Sequence, residues 1–241
     1  MGGLFQQLHV PRSQVAADNP VLYDDGRAVL EFYTPSHEYH GKQVVPVGNK
    51  WSDGTRSVGD TPRGRETYLT RNQFMAPIAH YHLLQTESFY VESGRGLWYL
   101  KGKTIELKAG DIIQVPRCHW HTFENHPDSE EPLSILYRYD SQRFVMEEKF
   151  FRNTLTYMWD CKRANVDPCP FQLCLFLSNC WMPGGLVPFP GDYASCAVNA
   201  IMMWVFAFIA KYLYGYKSSY PEYWDEEVFK KRIAPESKKS A

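Results

Sequence analysis

The six cysteines form no CxxC pair, the charges nearly cancel, no segment repeats another, and the chain does not open with a basic stretch leading into a long apolar one. Each absence narrows what the protein can be. Without closely spaced cysteine pairs, a zinc ribbon or a dithiol redox motif is not expected. With 26 Lys and Arg against 27 Asp and Glu, the net charge of −1 gives a polyanion little to hold, so no nucleic-acid partner is expected. The opening "MGGLFQQLHVPRSQ" has no secretory pattern, so the expectation is an intracellular, cytoplasmic protein with reduced thiols. What abounds is apolar and aromatic. Hydrophobic residues make up 44%, aromatic ones 15%, and there are seven Trp, which suits a packed core and an apolar ligand pocket or a membrane interface.

The 241 residues suit one domain with an elaboration. Residues 1–65 are loop-rich, with a strand in "DGRAVLEFY" and a polar surface loop in "KWSDGTRSVGDTPRGRE", and are expected to pack on the core. Residues 66–140 carry short alternating runs between turn signals: "TYLTR", "APIAHYHL", "ESFYVESG", "GLWYLKGK", "TIELKAGD", "IIQVP", "HWHTFEN" and "PLSILYRYD". Many short strands at close spacing predict an antiparallel sandwich or barrel, a mainly β fold. Residues 141–233 read as helical and apolar. Phe144, Phe151, Leu155, Met158 and Trp159 fall near helical spacing behind Ser141 as N-cap. Phe171–Gly191 and Tyr193–Ala210 are almost free of charge, and a short amphipathic helix follows Ser219-Tyr220-Pro221. Residues 234–241 read as a disordered tail.

The candidate chemistry lies in "APIAHYHLLQTESFYVESG" and "GDIIQVPRCHWHTFEN". On a strand His80 and His82 share a face, and so do His119 and His121. Glu87 stands an odd number of residues beyond His82, so a turn between Leu83 and Thr86 is needed to bring it back beside the histidines. Three imidazoles and a carboxylate are a complete ligand set for a borderline divalent metal. A single histidine in a strand is more often a hydrogen-bonded core or surface residue, but two HxH pairs with a spaced acid are harder to explain that way.

These residues resemble the cupin family, whose motifs are written G(X)5HXH(X)3–4E(X)6G and G(X)5PXG(X)2H(X)3N. The first is matched by His80, His82, Glu87 and Gly94, the second by Gly110, Pro116, His121 and Asn125. Phe74 and Cys118 stand where the motifs have glycine. The resemblance implies a cupin (jelly-roll) β-barrel with a C-terminal α-helical extension. It also implies a divalent metal held by His80, His82, Glu87 and His121, with iron favoured and zinc, nickel or manganese as alternatives. The whole chain is similar to single-cupin proteins found beside fungal polyketide-type biosynthetic enzymes, which are generally labelled oxidoreductases. That implies a metal-dependent, dioxygenase-like enzyme acting on a small aromatic or polyketide-derived metabolite. A redox-neutral isomerase, cyclase or lyase and a non-catalytic binding protein are the rivals.

Other residues carry secondary expectations. His119 reads as a base near the metal or as a polar lining residue, and Phe89, Tyr99 and Phe123 read as pocket lining or plain core. Cys118 lacks the arrangement of an activated nucleophile. The seventeen-residue run Ala194–Ala210 is near the lower limit for spanning a bilayer of about 30 Å. It reads as a core or homodimer helix, as part of a membrane-associated stretch over 171–213, or as a substrate entrance.

Overall fold

The segment Ala28–Phe32 buries Ala28, Leu30 and Phe32 and leaves Val29 and Glu31 half-buried, the two-residue period of a strand with one face on a core. The same alternation organises most of the barrel. The computed structural model describes residues 10–47, 75–141 and 143–234. The expected strand "TYLTR", the polar loop "KWSDGTRSVGDTPRGRE", Phe74 and the last seven residues lie outside them. The strands are β1 (Val21–Tyr23), β2 (Ala28–Phe32), β3 (Gly41–Val45), β4 (Glu87–Ser93), β5 (Arg95–Leu100), β6 (Lys103–Lys108), β7 (Ile112–Val115), β8 (His121–Asn125) and β9 (Leu133–Tyr139). Four helices follow: α1 (Phe144–Arg163), α2 (Pro170–Asn179), α3 (Asp192–Tyr212) and α4 (Glu226–Ile233).

The strands form a six-stranded sheet in the order β1-β2-β3-β9-β4-β7 and a three-stranded sheet in the order β6-β5-β8. Every paired neighbour is antiparallel. This is a jelly roll, as the resemblance implies, open at its edges rather than a closed barrel. Lys101 and Gly102 both take positive φ in the β5–β6 hairpin, the conformation a tight two-residue turn demands. Aromatic rings fill the space between the sheets: Phe89 of β4 lies 5.2 Å from Phe123 of β8 and 6.0 Å from Trp98 of β5.

The helical extension shares that core. Phe150, Leu155 and Met158 of α1 and Phe176 and Leu177 of α2 belong to the same buried cluster as Phe89, Trp98 and Tyr137. Each such side chain contributes roughly 1.5–3 kcal/mol by leaving water. Polar groups brace the joint. Arg152, 2% exposed, pairs with Glu148 at 2.7 Å and donates to the carbonyls of Val15 and Asp18. Asp160 accepts from Ser13 and from the Tyr223 hydroxyl, tying both ends of the described chain to α1.

Three local expectations differ from the structure. Residues 76–83 form no regular strand but an extended segment with isolated bridges at His80. Helix α1 starts behind Arg143 rather than Ser141, because the Ser141 carbonyl is drawn inward by the Gln85 amide at 3.0 Å. Helix α3 runs longer than the Ala194–Ala210 reading, and by length and composition it could cross a membrane. Its inner face, with Ala200, Met203, Ala207 and Ala210, is buried, whereas Ile201, Trp204, Val205, Phe208 and Tyr212 are exposed.

Candidate metal centre

Backbone hydrogen bonds place the two leading histidines. His80 exchanges N–H···O bonds with His121 at 3.1 Å in both directions, which joins the segment to the start of β8. On its other side the chain pairs with the loop after α2: Tyr81 N donates to Pro183 O (2.9 Å), Leu83 N to Trp181 O (3.1 Å), and Gly185 N to Ala79 O (2.7 Å). Gly185 is needed there, since a Cβ would come within 2.6 Å of the Trp120 indole nitrogen. The extension thus supplies one flank of the HxH segment. The chain then bends at Leu83-Leu84, inside the interval where a turn is required, and Glu87 opens β4 on the histidine side. Asn125, the last motif residue, donates to Glu131 O at 2.9 Å and fastens the loop between β8 and β9.

The four side chains meet. One ligand atom from each of His80, His82, Glu87 and His121 lies within 4.8 Å of the others. Nε2 of His80 is 3.1 Å from Nε2 of His82, and Oε2 of Glu87 is 3.2 Å from Nε2 of both His82 and His121. All four residues are at most 6% exposed. The tautomers are set from behind. Nδ1 of His80 donates to the Ile78 carbonyl (2.8 Å) and Nδ1 of His121 to the His119 carbonyl (3.1 Å), since a carbonyl can only accept. In the neutral ring each Nε2 then carries a lone pair aimed at the cluster.

Charge states follow from surroundings. Burial, with His121 and His82 alongside, pushes His80 well below the ordinary histidine range, and burial lowers His82 as well. Burial alone would raise Glu87, but His82 and His121 outweigh it and hold the carboxyl well below its usual range. Neutral imidazoles and an ionised carboxylate are the state a metal requires. Converging lone pairs and a buried negative charge repel one another unless a proton shared with His82 or His121, or a metal cation, sits among them. The donor set therefore fits a divalent ion of the zinc, nickel, manganese or iron type.

Beside the cluster is a cavity of about 60 Å³. His80, Glu87, Phe89, Phe123, Tyr137 and Tyr139 line it from the sheets. Phe150, Phe151, Leu155 and Met158 of α1, with Leu173 and Leu177 of α2, close it from the helices. That is well above the roughly 10–15 Å³ that admits a single water.

Two anticipated residues lie elsewhere. His119 does not share the inward face with His121, because β8 begins only at His121 and residues 119 and 120 belong to no strand. Its ring faces helix α3 instead, with Nε2 3.7 Å from Asp192 and the ring 5.8 Å from Tyr193. Tyr99 does not line the cavity. Trp98 takes the inward face of β5, and Tyr99 on the opposite face donates to Glu124 at 2.5 Å. Phe89 and Phe123 do border the cavity. Tyr139, His40 and Glu147 are near neighbours that the motifs do not name. The Tyr139 ring lies 5.4 Å from His82 and 5.5 Å from His40, and His40 Nε2 is 3.6 Å from Glu147. Only the parity of Leu133, Ile135, Tyr137 and Tyr139 along β9 signals the first of these.

A family model described as "Cupin domain" matches residues 71–138. The chain is 31% identical over 231 residues to the "Probable oxidoreductase virH" of Hypocrea virens, covering 92% of this chain and 94% of that one. It is 33% identical over 128 residues to "Oxidoreductase iacF" of Pestalotiopsis fici, covering 52% and 62% respectively. Among solved structures it is similar to a predicted oxalate decarboxylase of Thermotoga maritima (TM-score 0.32, 16% identity, 46% of this chain and 78% of that). It is also similar to the cupin domain of Cnp3 from Schizosaccharomyces pombe (TM-score 0.32, 11% identity, 60% and 75%). With its four converging side chains inside the matched segment and a relative aligned along almost its whole length, the chain belongs to the cupin family.

Proposed function

We propose that this cupin is a metal-dependent oxidoreductase, dioxygenase-like, that acts on a small, oxygenated and otherwise apolar metabolite of the aromatic or polyketide-derived kind. The observation that carries the reading is the meeting of three imidazole nitrogens and the Glu87 carboxylate at the wall of a hydrocarbon-lined cavity. The oxidoreductase names of the two fungal relatives point the same way. His80, His82, Glu87 and His121 hold the ion; bound iron supplies dioxygen activation, whereas zinc, nickel or manganese supply Lewis-acid polarisation. The chain's own residues do the rest. The Ile78 and His119 carbonyls keep the ring nitrogens in the ligating tautomer. His80 and Glu87 border the cavity, so a molecule inside it lies against the ligand set, and Phe89, Phe123, Phe150 and Leu155 exclude water from it.

The test is metal content and dioxygen uptake. Purified without a metal-affinity tag, the protein should carry about one ion per chain, and His82→Ala or Glu87→Ala should reduce this at least tenfold. Circular dichroism should show the fold retained. Iron-loaded protein should consume dioxygen when offered a panel of small phenols and enols, and both variants should not. Turnover that survives anaerobiosis assigns the site to redox-neutral chemistry, and turnover in metal-free protein overturns the reading.

A further inference from the structure

Buried tyrosines in this protein use their hydroxyls. Tyr23 bonds Thr156 (2.9 Å), Tyr81 bonds Ser195 (2.7 Å), Tyr157 accepts from the Cys169 N–H (3.0 Å), Tyr220 donates to Gln172 (2.8 Å) and Tyr223 to Asp160 (2.8 Å). Tyr139 breaks the pattern. It is 6% exposed, and its hydroxyl, shut off from solvent, makes no hydrogen bond of ordinary geometry with the described residues, although the Glu87 carboxylate is near enough to act on it. A buried hydroxyl without a partner is a standing cost that native proteins seldom leave unexplained.

Its position supplies the explanation. Tyr139 ends β9 and is the cross-strand partner of Glu87 on β4. It lines the same cavity as His80 and Glu87. Its ring is clamped between the His82 ring at 5.4 Å and the His40 ring at 5.5 Å, so it is not free to swing its hydroxyl to water. Thr154 repeats the feature from α1, lining the cavity with a buried hydroxyl that lacks a partner among the described residues. A hydrocarbon pocket that keeps hydroxyls unpaired is built for a ligand that pairs them.

We propose that Tyr139 is a substrate-binding residue whose hydroxyl donates to an oxygen atom of a small, otherwise apolar ligand lying against Glu87 and His80. The inference rests on the metal reading above and adds the ligand's class: an oxygen-bearing end that reaches both the ion and Tyr139, and a hydrocarbon body facing α1 and α2. A carbonyl, enolate or phenolate oxygen fits, and an ammonium end does not, because the ligating cation and the donor hydroxyl both seek an acceptor.

The experiment uses the whole chain loaded with cobalt(II), whose visible bands report on its ligands, and acetohydroxamate as the probe. Tyr139→Phe should keep the cobalt content of the wild type and bind the probe 5- to 20-fold more weakly. Melted without metal, Tyr139→Phe and Thr154→Val should be no less stable than the wild type, since each removes an unpaired group. Equal probe affinity in wild type and Tyr139→Phe overturns the inference alone, as does a lowered melting temperature for the metal-free Tyr139→Phe protein. Loss of cobalt from Tyr139→Phe also overturns it, by moving the residue's role to the ion. A wild type that takes up no cobalt overturns the metal reading itself.

Discussion

Around the cluster, His82, Glu87 and His121 are polar or charged groups between 0% and 3% exposed; on the outer face of α3, Ile201, Phe208 and Tyr212 are apolar groups 60% or more exposed. Both regions invert the ordinary partition between inside and outside. They differ in how much of their occupant they specify. The buried groups aim lone pairs at one point and name a cation by donor type and charge. The α3 face offers hydrophobic area without a direction, since apolar contact is proportional to area and largely blind to geometry. Polarity in the wrong place is informative in proportion to its directionality.

The contrast within α3 is the sharpest way to test the second half of that comparison. Met203, fully buried on the inner face, should lose about 2–4 kcal/mol of stability on change to Ala, as for a large core side chain that leaves a cavity. Phe208→Ala on the outer face should stay within about 0.5 kcal/mol in the monomer. Chemical denaturation at low protein concentration reads both. A large loss at Phe208 means that the outer face is covered in solution, and the contrast within the helix disappears.

The site was more legible than its surroundings. His80, His82 and Glu87 could be read because a two-residue period and one bend are local properties, whereas the choice of His121 over His119 comes from the match to the second cupin motif. His119 could not, because residues 119 and 120 lie outside the strand that begins at His121, so its two-residue period does not carry back to them. Tyr99 shows the limit of parity itself: alternation separates Trp98 from Tyr99 but does not say which face of β5 is the inner one. The pairing of 79–83 with 181–185, and the meeting of His40 with Glu147, join residues about a hundred positions apart with no shared pattern to announce them. The four-stretch division by texture hid this, since the extension and the sheets build one core and one flank of the site together.

A smaller effect separates two buried carboxyls. Glu87 has histidines to hold its charge, whereas Glu147 has the Gln85 amide at 2.5 Å, the Arg143 backbone N–H and a His40 nitrogen too distant for a hydrogen bond. Burial accordingly pushes Glu147 up to about 7 and His40 down to about 4. An acid raised on folding binds more protons in the folded state, so its ionisation weakens the fold as pH climbs from the unfolded-state value through about 7. Glu147→Gln should therefore match the wild type near pH 4 and exceed it by about 1–2 kcal/mol at pH 8. His40 acts in the opposite window, losing stability as pH falls from its ordinary value through about 4; because it faces Glu147 at 3.6 Å, the comparison is read at pH 7 to 8, where His40 is neutral in both proteins. A flat difference curve means that Glu147 is ionised and paired at all these pH values, and the two carboxyls are then alike.

The smallest effect concerns backbone rather than charge. Cys118 occupies the left-handed region at a φ of 60°, at the position where the second motif has glycine, and its N–H is held by the His82 carbonyl at 2.8 Å. The turn is therefore required by the ligand segment, not chosen by Cys118, and a side chain with a Cβ is strained there. Cys118→Gly relieves that strain but adds freedom to the unfolded chain, so the net gain should be only about 0.5–1 kcal/mol, with metal content unchanged. Thermal melts of metal-free protein read the first effect and elemental analysis the second. Should the glycine variant melt lower, the thiol contributes packing that outweighs the strain, and the site region would be better satisfied than its orphaned hydroxyls suggest.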